Sequence, residues 1–150
     1  MAVSAYVYGC HLQGQYGTTS ARRVDWDANT IRSTLHTSSY TPNKDTDDFF
    51  DDATNEITGT GYTAYGVNLT TSAVSLDSAT HQVRLDANDA QWASAAFSAA
   101  LAVQSKDAGG ADSADPLICY LDFGGTESVS GPGTFTITWA SEGIIVLDYA

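Results

Sequence analysis

The sequence predicts an all-β fold, an antiparallel β-sandwich or a jelly-roll-like barrel with one short helix near residues 45–54. Three observations predict it. Apolar and polar residues alternate with period two through much of the chain, the mark of half-buried strands. Turn residues punctuate these runs at short intervals, as in sandwiches and barrels. Charged residues are only 16% of the chain, so Thr, Ser, Asn and Gly must carry much of the solvation.

The clearest strand is Thr134 to Ala140, TFTITWA, with Phe135, Ile137 and Trp139 on one face and threonines on the other. The run GIIVLDYA follows Ser141, Glu142 and Gly143, a spacing that predicts a hairpin. Ala73 to Asp77 and Gln82 to Asp86 predict another, with Val74, Leu76, Val83 and Leu85 toward one core and Arg84 and Asp86 toward water. Thr30 to Thr37 alternates too, with Ile31 and Leu35 inward and Arg32 and His36 outward. Pro116 to Phe123 is apolar on nearly both faces and reads as a central strand, and Ala2 to Leu12 as the first one. Pro42 to Glu56 favours a helical turn, with Asp45 or Thr46 as N-cap, acids in the following turn and Phe49 and Phe50 as anchors. Gln91 to Lys106 is Ala-rich, which propensity assigns to helix. Its alternation and β-rich surroundings place it in a strand, with an amphipathic helix as the alternative.

The 150 residues form one expected domain, 1–150, long enough to bury roughly 70% of the surface its unfolded form exposes. Gly59 to Gly66 and Lys106 to Pro116 are the obvious loops. Eighteen acidic against six basic residues give a net charge of −12, which repels DNA phosphate and anionic lipid. The expectation is therefore no nucleic acid and no membrane. The N-terminal run has neither a basic region nor a long apolar stretch, so no signal peptide is expected. Cys10 and Cys119 lack a CxxC neighbour and read as two buried thiols, with a single bridge left open.

Little in the chain looks like catalysis. The acids Asp45, Asp47, Asp48, Asp51, Asp52 and Glu56 are dense enough to suggest calcium, but they lack the EF-hand spacing and read as a solvated or docking face. His11, His36 and His81 are isolated and read as surface histidines. No nucleophile elbow and no phosphate loop occurs. The expected catalytic, metal and cofactor sets are all empty, and the chain is expected not to be an enzyme. Arg22 and Arg23 stand out in a chain so poor in bases. They read as a contact to an acidic patch on another protein or on a neighbouring copy, or else as an internal pair with Asp25 or Asp27. Arg22, Arg23, Trp26, Asp47, Asp48, Asp51 and Asp52 are thus the candidate partner-contact residues.

Several motifs in these runs are familiar together. Trp26-Asp27 leads into a strand that ends in TSSYTPN, Thr37 to Asn43; then come Thr54-Asn55-Glu56 and GTGYTAYG, Gly59 to Gly66. Further on stand Trp92-Ala93-Ser94, PLICYLDFG at Pro116 to Gly124, and FTITW at Phe135 to Trp139. From residue 21 to 150 the chain resembles a family of small tailed-phage structural proteins: head-fibre, capsid decoration or minor virion components. Tyr65 replaces a glycine of that pattern, and Gln13 to Ser20 and the Ala-rich Gln91 to Lys106 depart from it. The resemblance implies a virion protein made in the host cytoplasm. Its leading form is a capsid decoration protein bound outside the shell, with the major capsid protein and copies of itself, as a trimer, for partners. The alternative is a tail-fibre or head-fibre component that binds host glycan, for which Tyr62, Tyr65 and Tyr120 would be sugar platforms.

Overall fold

The computed structural model describes residues 3–149; Ala2 and Ala150, at the expected ends of the first and last strands, lie outside them. Two antiparallel sheets dominate. The larger takes β1 (Ser4–Val7), β7 (Leu117–Ile137), β6 (Ala90–Asp107), β2 (Thr30–His36) and β3 (Val67–Asn68) in that order. The smaller takes β4 (Ala73–Asp77), β5 (Gln82–Asp86) and β8 (Ile145–Asp148). This is the all-β, sandwich-like fold that the alternation predicts.

Pairing register explains which side chains meet. One row crosses the larger sheet as Val7, Cys119, Gln104, Ser33 and Val67, one residue from each strand. Its polar members satisfy each other: the Cys119 thiol donates to Gln104 Oε1 at 3.3 Å and Gln104 Nε2 to Ser33 Oγ at 3.1 Å. Burial pushes the Cys119 thiol up to about 12, so it stays protonated. Neither cysteine is bridged; Cys119 is buried and Cys10 half-buried. The next row on that face is Ala5, Leu121, Ala102 and Leu35. Its Leu121, Ala102 and Leu35 belong with Trp26, Trp92, Phe97 and Ile145 to a core shared with the smaller sheet, whereas Ala5 is exposed at the edge.

The other face of the larger sheet carries a second core, where Val103, Leu117 and Tyr120 pack with Tyr8, Tyr40 and Phe50. Its cover is the largely irregular segment 40–53, through Tyr40, Phe50 and Ala53, so the molecule has three layers, while Ile57 and Tyr62 further on pack in the first core. That cover corrects the outward assignment of Arg32 and His36: all of Ile31 to His36 is buried. His36 is wholly buried, its Nδ1 donating to the Thr54 carbonyl at 2.8 Å and its Nε2 accepting from Thr34 Oγ1 at 3.0 Å.

Other expectations fare differently. Residues 90–107 form a strand, as expected, and β4 pairs with β5 as the predicted hairpin, Val74 opposite Leu85 and Leu76 opposite Val83, but the core assignment of Val74 and Leu76 is corrected, since they are 42% and 67% exposed. The helical turn near 45–54 is a 3-10 turn, Phe50–Asp52. The expected first strand stops at Val7, and an α-helix, α1 (Gly9–Tyr16), follows. No hairpin joins 134–140 to 144–149. Phe135 and Ile137 pair with β6, whereas β8 crosses to the smaller sheet and pairs with β5. A bridge between Ala140 and Gly143 marks where the chain turns across.

Candidate functional site

A pocket of about 490 Å³ opens where α1, the segment 23–26 and the smaller sheet converge. The sequence builds its wall in steps. Helix α1, GCHLQGQY, contains two glycines and has poor intrinsic propensity, so packing must hold it. Gly14 permits that packing: a Cβ there would collide with Cβ of Arg22 in the neighbouring 3-10 turn Ser20–Arg22. Gln15 then fastens the next stretch. Its Nε2 donates to the Val24 carbonyl at 2.7 Å and its Oε1 accepts from Val24 N–H at 2.9 Å. The amide thus stands in for a pairing strand, satisfying both backbone groups of Val24.

Val7, Leu85, Ile145 and Leu147 line the pocket together with Val24 and the Trp26 indole. Trp26 is 3% exposed and donates from Nε1 to the Asp86 carbonyl at 2.8 Å. His11 also lines the pocket. It is 4% exposed, its Nδ1 has no partner, and burial pulls its pKa down to about 4, so the ring is neutral at pH 7. The lip carries exposed Leu12, Tyr16 and Val74, with Arg23 and Asp25 as its two charges.

A second groove, about 540 Å³, runs beside the β1 edge and is lined by Leu121, Phe123, Phe135, Ile137, Trp139 and Ile144, with Glu127 among its polar members. The Trp139 indole donates to the Asn88 carbonyl at 3.0 Å, which fixes its plane. Both hollows have the predominantly apolar lining of a binding site.

The seven predicted contact residues do not share one surface. Arg22 turns inward to an ion pair with Asp48 and lies over the Phe49 ring. The internal pair anticipated for the Arg22-Arg23 dipeptide therefore exists, with Asp48 as partner in place of Asp25 or Asp27. Asp47 accepts from Tyr40 Oη at 3.0 Å and from Asn43 N–H at 2.9 Å. Asp52 accepts from Asp48 N–H at 3.0 Å. Asp51 and Arg23 are exposed, whereas Trp26 is interior. Among the described residues no cluster of three or more His, Cys, Asp or Glu has the geometry to hold a metal ion. The surface reading of the histidines holds only for His81.

The three candidate sugar platforms are largely engaged elsewhere. Tyr62 donates to Glu56 Oε1 at 2.6 Å and accepts from Leu35 N–H at 3.0 Å. Tyr120 is buried against Tyr8, and Tyr65, though exposed on one side, lies on the Arg32 guanidinium. Sequence reasoning misses the pocket itself, because its lining comes from six separated stretches. One local signal points to it only once α1 is known to be a helix: Leu12 and Tyr16 stand four residues apart, on one helical face. In comparisons with known proteins, no family model, no curated protein and no solved structure matches this chain.

Proposed function

We propose that the chain is a structural protein of a phage virion, a capsid decoration protein that docks on the outside of the major capsid shell and reinforces it, and that it is not an enzyme. One observation carries the reading beyond the resemblance of residues 21–150: the motifs behind that resemblance build the frame. Tyr40 of the TSSYTPN run bonds Tyr8 at 2.9 Å and Asp47 at 3.0 Å. Glu56 of the TNE run accepts from Tyr62 Oη and from Tyr65 N–H, both at 2.6 Å, locking GTGYTAYG down. Thr54 holds His36 through its carbonyl. Residues with such duties preserve a shape, which suits an assembly part. What the surface offers is apolar hollows and acidic charge, the means of docking on a partner with basic patches. Each contact can be weak, because many copies on one shell add by avidity.

A second reading has its own support. Phe123, Phe135 and Trp139 with Glu127 give the β1-edge groove the aromatic and carboxylate lining that suits host glycan in a tail or head fibre. Labelling a tagged copy of the chain on intact virions separates the two. Labels spread over the head are the expected result, and labels confined to the tail would overturn the decoration reading.

A further inference from the structure

We propose that two copies of this chain pair about a two-fold axis at the α1 pocket, Tyr16 of each copy entering the pocket of the other. The inference stands apart from the virion reading and does not need it. The patch carries a knob and a socket side by side. Tyr16, the last residue of α1, is 83% exposed, the most exposed large hydrophobic side chain among the described residues. Next to it lies the 490 Å³ hollow floored by Trp26, Leu85 and Ile145. Leu12 and Val74 are exposed at its lip, and Leu76, 67% exposed and two residues along β4 from Val74, extends the apolar surface on that side of the strand. An exposed apolar run of this kind beside a concavity marks an interaction site.

Charge selects the occupant. Over the whole chain, at −12, copies repel each other. The pocket residues, however, include one arginine and one aspartate, so the patch is locally neutral. Among the described residues neither Arg23 nor Asp25 forms an ion pair, although each makes a local bond: Arg23 to the Gly17 carbonyl at 3.1 Å, Asp25 from Ala28 N–H at 3.2 Å. A two-fold axis lets Arg23 of each copy face Asp25 of the other, making the surface its own complement in charge as well as in shape. The same reasoning fixes the symmetry. A ring of three needs its knob and its socket on separate faces, one for each neighbour, whereas here they occupy one face, which closes as an isologous pair. This patch therefore does not supply the contact of the trimer expected from the sequence.

Sedimentation equilibrium of the full chain tests the proposal, at concentrations up to about 100 μM, where even a weak pair is populated. The expected mass is twice the 15.8 kDa of one chain. A strict monomer or a trimer overturns the proposal. Tyr16→Ala, at an exposed site, keeps the fold of the single chain and is expected to raise the dimer dissociation constant about tenfold or more. An unchanged constant places the interface elsewhere and overturns the proposal. Arg23→Asp and Asp25→Arg are each expected to be monomeric alone, with four like charges across the axis, and to form a mixed dimer when combined. Two folded variants that fail to combine contradict the Arg23–Asp25 pairing.

Discussion

Arg32 and Asp115 form the most deeply buried ion pair among the described residues, 7% and 2% exposed. Asp115 Oδ1 also accepts from Ala108 N–H at 2.7 Å, tying the start of the 108–116 loop to its end. Above the guanidinium lie Phe50 and Tyr65, with ring centroids at 5.4 and 4.9 Å. Removing one partner of such a pair leaves an uncompensated charge in a dry site. Asp115→Ala is therefore expected to cost about 3–5 kcal/mol in urea unfolding. The Arg22–Asp48 pair is nearer to water, with both side chains 22% exposed. Asp48→Ala is expected to cost about 1 kcal/mol or less, because solvent screens the pair. Equal losses for the two variants would show that depth does not set their worth. Sequence could flag the scarce arginines, but their partners lie 26 and 83 residues away, beyond the reach of local spacing.

Elements were legible where a local pattern decided the outcome. The β4–β5 hairpin needs only its two alternating runs and the turn between them, and β6 stays a strand through a row of alanines, although a register shift between Ala99 and Leu101 puts Leu101 and Val103 in the core opposite that of Phe97. Helix α1 was not legible, because its glycines argue against a helix and only the fit of Gly14 on Arg22 explains one. The 134–149 hairpin failed for a related reason: alternation says that a run is a strand, not which strand it joins. The burial of His36 depends on a cover with no periodicity of its own. Gly66 shows how closely the chain then runs beside β2 as it enters β3, since its φ is +65° and a Cβ would strike the Ser33 carbonyl.

These overlying elements give the molecule a pH dependence. Burial lowers both His11, in α1, and His36, under the cover, from 6.5 to about 4. In the unfolded chain both rings take up protons below about pH 6.5, while in the folded chain they resist until about pH 4. Between those values the unfolded state binds more protons, so stability is full above pH 6.5 and falls as the pH drops toward 4. At about 1.4 kcal/mol per tenfold change in proton affinity, each histidine contributes up to about 3 kcal/mol to that loss. Urea unfolding from pH 7 to 4.5 is expected to show the decline, and His36→Gln to flatten it. A slope unchanged in His36→Gln would assign the dependence to other groups.

At the scale of the whole molecule, two sheets and an irregular cover make a three-layered, strongly acidic body with apolar hollows at its seams. The all-β class followed from composition and alternation, since both report on the chain as a whole. The hollows could not be read that way, being products of where distant stretches converge. A frame stiffened by the motifs behind the resemblance, with apolar hollows outside, suits the proposed role of a part that repeats on a shell, and such a part would be abundant. Copy number in purified virions, measured by quantitative mass spectrometry against the major capsid protein, tests this most directly. The decoration reading predicts hundreds of copies per particle; a handful, or none, would contradict it.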